Sequence, residues 1–173
     1  PGGAAAWHAR QRTLALQMVI GFVTGLFFAL VLFLSLLLNG PQFSVALGTE
    51  KRVHYLRRTF ESYPAMEYLN RLPPPVKVAT YGEARGFYLR HPYLFGEQGH
   101  HQLIDYATLD TPQKLVAALR GLQVTHLLVN AKFVPDVPSG KSTLGLAGAE
   151  ALRQGLIERV FERSGVVVYR IAR

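Results

Sequence analysis

From Leu14 to Leu38 the chain runs twenty-five residues without a charge, and only Gln17, Thr24 and Ser35 interrupt the run with polarity. A helix rising ~1.5 Å per residue would extend about 37 Å over that length, against a hydrocarbon core of about 30 Å. The pattern therefore predicts a membrane span at 14–38, with Asn39-Gly40-Pro41 as its stop. A helical pattern then starts at Thr49, with Val53, Leu56 and Phe60 spaced at three and four. Ser62 is placed as an N-cap and Pro64 in the first turn of a second helix, whose apolar face is Ala65, Met66, Leu69 and Leu72. Pro73-Pro74-Pro75 ends it.

Beyond the prolines the period changes. Val76–Tyr81 is a short β-rich run closed by Gly82, and 88–95, around His91-Pro92, reads as a shorter strand whose proline suits an edge. Thr111-Pro112 opens a helix with Leu115, Val116, Leu119 and Leu122 on one face, and Val124–Val129 follows as a buried strand. Residues 130–147, rich in Pro, Gly, Ser and Lys, read as a loop, and 146–155 as a short helix. Leu156–Phe161 and Val166–Ile171 flank Glu162-Arg163-Ser164-Gly165 as a hairpin. The expected fold is α/β in two or three layers, with a partly parallel sheet joined through a crossover helix and a C-terminal hairpin. The expected organisation is a cytoplasmic flank at 1–13, the span at 14–38, a membrane-proximal helical connector at 39–75 and an extracytoplasmic α/β domain at 76–173.

Charge sets the orientation. Arg10 and Arg12 abut the start of the apolar run, and no cation follows its end until Lys51, which favours an N-in, C-out arrangement. Lys51, Arg52, Arg57 and Arg58 lie in or near the same counting window and narrow the margin. A cleaved signal peptide with Ser44-Val45-Ala46 as its site is the competing reading; the apolar run exceeds the 7–15 residues of a signal core. After the span, seventeen basic residues are scattered among eleven acidic ones, a solvated surface rather than a nucleic-acid patch. The absence of cysteine excludes disulfides, thiolate nucleophiles and Cys-ligated metals.

Three segments carry candidate chemistry. Gly140-Lys141-Ser142-Thr143 looks like the end of a phosphate-binding loop, but the glycine such a loop needs five residues earlier is Pro135. His100-His101 with Asp105 offers imidazoles and a carboxylate; these are read as fixing a loop, with His100 a candidate contact for an anionic group. Gly82-Glu83-Ala84-Arg85-Gly86-Phe87-Tyr88 follows the first strand, where open α/β sheets place their ligands. Glu83, Arg85 and Tyr88 are candidate contacts there, the other reading being that Glu83 and Arg85 pair with each other or cap the neighbouring helix. No catalytic triad, carboxylate pair or nucleophile elbow is readable, and no cofactor is implied.

Taken together, the apolar span, Ala65-Met66-Glu67-Tyr68-Leu69-Asn70, Val76-Lys77-Val78 and the 82–93 segment ending Arg90-His91-Pro92-Tyr93 form a succession of short motifs. Asp105-Tyr106, the Thr111-started helix running into Gly121–Asn130, and Val168-Tyr169-Arg170-Ile171 continue it. The succession resembles the C-terminal region of bacterial multi-spanning glycosyltransferases related to the dolichyl-phosphate-mannose protein mannosyltransferases. The resemblance implies a last transmembrane helix followed by a small extracytoplasmic domain, and a sugar donor linked to polyprenyl phosphate. It implies as partners membrane lipid and the other transmembrane helices of a parent protein, with the family's acidic catalytic residue in an early outer loop that has no counterpart in these residues. Pro1 in place of Met accords with a processed or partial chain. The alternative expectation is a non-enzymatic, single-span α/β domain serving envelope assembly or scaffolding.

Overall fold

A computed structural model describes residues 2–97, 103–134 and 143–172. The chain divides into two compact units, Pro1–Tyr55 and Leu56–Arg173.

The first unit is dominated by α1 (Gly2–Ala46), 45 residues of continuous helix. Within it Leu16–Gly40 is long and apolar enough to cross a membrane, and none of that stretch is buried against protein. The expected stop at Asn39-Gly40-Pro41 is overrun. Asn39 makes a side-chain bond from Nδ2 to the Ser35 carbonyl, 3.1 Å. The helix closes instead at Leu47-Gly48, where the Ser44 carbonyl accepts from the backbone N–H of Thr49 and Glu50 at 2.9 and 3.0 Å.

The boundary between the units falls inside α2 (Arg52–Thr59). The second unit continues with α3 (Tyr63–Asn70), β1 (Val78–Tyr81), β2 (Tyr93–Phe95), α4 (Pro112–Gly121) and β3 (His126–Asn130). It ends with α5 (Thr143–Arg153), β4 (Ile157–Arg163) and β5 (Val166–Ile171). The five strands form one sheet in the order β2-β1-β3-β5-β4. β1 is parallel to β2 and to β3, while β5 is antiparallel to both β3 and β4. This is the expected partly parallel α/β fold. The crossover helix is α4, and β2 takes the edge, entered through Pro92.

Side chains alternate across the sheet with a period of two, and each face has its own core. Ala79, Tyr81, Leu127, Val129, Val167 and Tyr169 face α4 and α5, meeting Leu115, Val116, Leu119 and Ala151. Val78, Leu128, Val166 and Val168 point the other way, onto Phe60, Ala65, Met66 and Leu69. Helices on both faces make three layers, which is why β1 and β3 are buried along their whole length. Thr111 caps α4 as expected, its hydroxyl accepting from the Lys114 N–H at 3.3 Å. The β4–β5 turn places Ser164 and Gly165 at φ 51° and 78°, the positive pair that a type I′ hairpin requires. Several boundaries move: the expected strand 88–95 shortens to Tyr93–Phe95, with Gly86–Tyr88 forming a 3₁₀ turn before it; α5 begins at Thr143, inside the expected loop; and the 3₁₀ turn Tyr106–Thr108 had no periodic signal.

Candidate functional site

The loop after β1 leaves the sheet at its C-terminal edge, next to the end of β3. Gly82 turns the chain there at φ 68°, and its N–H donates to the Glu97 carboxylate. One residue on, the Glu83 side chain is only 1% exposed and its carboxylate is fully engaged. Oε2 accepts from the Ser62 hydroxyl at 2.5 Å, and Oε1 from the Arg85 backbone N–H at 2.9 Å. The Arg85 guanidinium grips both oxygens, Nε to Oε1 at 2.9 Å and Nη2 to Oε2 at 3.3 Å. Of the two alternatives for this pair, the ion pair is the one formed.

Ser62 departs from expectation. It precedes α3 with helical dihedrals (φ −81°, ψ −12°) and makes no capping bond. Pro64 in the first turn removes one of the N–H groups a cap would serve. The buried carboxylate offers a stronger, charge-assisted partner. Asn130, at the end of β3, donates from Nδ2 to the Ser62 oxygen at 3.3 Å and accepts the Lys132 N–H at 3.2 Å. Asn130, Ser62, Glu83 and Arg85 thus tie together a strand end, a helix start and a loop. Ser62→Ala leaves one carboxylate oxygen and the Asn130 amide short of a partner, and should lower stability by about 1–3 kcal/mol. Thermal melts of the two proteins in the same detergent check it; an unchanged melting temperature would show that the serine contributes nothing.

Arg85 is half-exposed and its guanidinium lies 3.9 Å over the Phe60 ring. Tyr88 packs against Phe60 and Tyr63 with centroids 5.3 and 5.5 Å apart, and against Phe87 at 4.5 Å. Asn70 holds this loop by its backbone, donating to the Tyr88 carbonyl at 2.8 Å and accepting the Arg90 N–H at 2.7 Å. Glu83, Arg85 and Tyr88 are therefore neighbours in one rim. His100 lies outside the described residues, as do His101 and Gly140-Lys141-Ser142. Asp105 fixes its own loop, accepting the Ala107 N–H at 3.1 Å.

Sequence reasoning missed Ser62, Asn130 and Phe60 as members of this cluster. A polar Asn directly after the apolar Leu127-Leu128-Val129 run was the one signal available for Asn130.

Elsewhere in the unit, Tyr81 and Tyr106 share a buried hydroxyl contact at 3.2 Å. Burial pushes the Tyr81 phenol well up, with the Tyr106 hydroxyl adding to it. At the opposite end of β3, burial lowers the His126 pKa, helped by Arg170 and His91. A shallow cavity of about 240 Å³ between α5 and β4–β5 is lined by Leu152, Arg153, Arg159 and Tyr169. Its two arginines are paired, Arg153 with Glu150 and Arg159 with Glu162 at 2.7 Å. Among the described residues, no three His, Asp or Glu side chains group as a metal site would require.

Comparison of the chain with protein-family models, with curated proteins and with solved structures gives no match.

Proposed function

We propose that this chain is the C-terminal part of a membrane glycosyltransferase that takes a sugar from a polyprenyl-phosphate donor. On this reading Leu16–Gly40 is the last of several spans and the α/β unit is extracytoplasmic. It serves recognition of donor or acceptor, and the catalytic acid belongs to a segment preceding these residues. The observation that carries the reading is the rim at the C-terminal edge of β1, where Arg85, Tyr88 and Phe60 meet. That edge is where open α/β sheets bind ligands, and the same segment carries much of the family resemblance. The motif succession from Ala65 to Ile171 supports it further.

Glu83 positions Arg85 and is too buried to touch a ligand itself. Arg85 keeps outward N–H donors and an aromatic floor, which suits an anionic or sugar-bearing group. In the full-length enzyme, Arg85→Ala should reduce sugar transfer from a polyprenyl-phosphate donor by about tenfold, the low end of the scale for losing a hydrogen bond to a charged group. Arg85→Lys should recover part of it. Activity equal to wild type in Arg85→Ala, with the protein folded, sinks the role. A C-terminal reporter active in the cytoplasm sinks the orientation.

The scaffold reading draws on a different observation, that Glu83, Ser62 and Asn130 satisfy one another within the fold. The upstream reading frame separates the two. Further apolar spans, with an acidic residue in the first outer loop, favour the transferase; a start codon immediately upstream favours the scaffold.

A further inference from the structure

We infer that the rim bearing Phe87, Arg85, Lys132 and Phe133 is a contact surface for a phospholipid bilayer. Phe87 and Phe133 are 67% and 61% exposed, although each belongs to a structured loop at the C-terminal edge of the parallel strands. Single exposed phenyl groups are ordinary on a protein surface, but these two stand at either end of one chain of contacts that runs over the buried Phe60. Phe87 packs on Tyr88, Tyr88 on Phe60, and Phe60 lies under Arg85. Lys132 pairs with Glu61 at 3.1 Å beside Phe60, and its ammonium lies 5.8 Å from the Phe133 ring. Phe133 also sits against Gly82, its Cβ only 3.2 Å from where a Cβ on that glycine would be. Aromatic rings interleaved with cations are the composition that settles at the headgroup level of a bilayer.

Electrostatic attraction here is local rather than a matter of net charge. Arg85 is paired with Glu83 and Lys132 with Glu61, and the Glu97 carboxylate on the Gly82 N–H lies at the same edge. Arg85 spends Nε and Nη2 on Glu83, and its Nη1 has no acceptor among the described residues, leaving donors for a phosphate oxygen.

Two arguments favour lipid over a protein partner. Residues 41–55 are all that separates the apolar span from the second unit, and at ~3.5 Å per residue they reach no more than ~50 Å. A bilayer is thus always at high effective concentration, and a shallow contact suffices. A stable protein interface buries about 800 Å² on each side, more than two phenyl rings supply. The inference needs only the span; it does not depend on the glycosyltransferase reading.

The test uses the full chain in a Trp7→Phe background, reconstituted into phosphatidylcholine vesicles containing a minority of phosphatidylglycerol. Phe87→Trp and Phe133→Trp report on the rim, and Ala117→Trp, exposed on α4, is the control. A ring held ~5–10 Å into the headgroup boundary should lose about half its emission when the lipids are replaced by acyl-brominated ones, with the control little changed. Emission at both rim positions that matches the control overturns the proposal. So does a shielded emission that persists in detergent and grows with protein concentration, because that assigns the strip to a second copy.

Discussion

Leu128→Ala should cost the second unit about 3–5 kcal/mol, the upper part of the range for a fully buried large-to-small change. Leu128 is 0% exposed in β3, the middle strand of the five, where it meets the core under α3. Its strand is hydrogen-bonded on both sides, to β1 and to β5, so the backbone cannot collapse into the space left behind. The loss combines the transfer term of the missing carbons with an unrelieved cavity. Chemical denaturation in detergent, followed by the near-ultraviolet dichroism of the tyrosines, reads this unit, because the chain's one tryptophan is in α1. An isosteric Leu128→Met change should recover most of the loss. A loss below about 1 kcal/mol would mean the site is less confined than described.

Gly82→Ala comes next, at about 2–4 kcal/mol, from two independent causes. The backbone there is at φ 68°, a region in which an L side chain costs about 1 kcal/mol or more. A Cβ would also sit 2.7 Å from the Asn130 carbonyl oxygen, which is main chain and cannot rotate away. Relief would require the ends of β1 and β3 to part, disturbing the Asn130–Ser62–Glu83 chain as well. Gly82→Asn tests the first cause against the second. Asn tolerates positive φ but carries the same Cβ, so it should remain nearly as destabilised as Ala. Recovery to wild-type stability with Asn would show that the clash is not felt.

The elements were legible where a single period ran uninterrupted. The apolar run at 14–38, the three-and-four spacing of Leu115, Val116 and Leu119, and the Ser164-Gly165 turn each specify their structure locally. What failed to read were outcomes that ran against a local signal. Pro41 signals a helix end, and α1 nevertheless continues to Ala46. Ser62 signals a cap, and only a carboxylate 21 residues away diverts its hydroxyl. The candidate site divides in the same way. Glu83 and Arg85 are two residues apart and their pairing was one of two readable alternatives. Asn130 lies 68 residues from Ser62, and nothing in the local pattern brings them together. Phe60 was legible as an apolar helix position, but its use as a floor for Arg85 depends on how α2 and the 82–88 loop pack.

The position of β5 has a consequence for how the chain acquires this shape. It is the fifth strand along the chain, yet it lies between β3 and β4 near the centre of the sheet. β3 therefore keeps an open edge, and Val129 and Leu128 lack their neighbours Val167 and Val168, until β5 docks. Docking of that one strand closes the sheet all at once. A chain cut anywhere before Val166 would expose an unpaired apolar strand, the kind of surface that folding factors and proteases read as unfinished. Completion of the unit is thus tied by its strand order to a single late segment, with β5 acting as the seal.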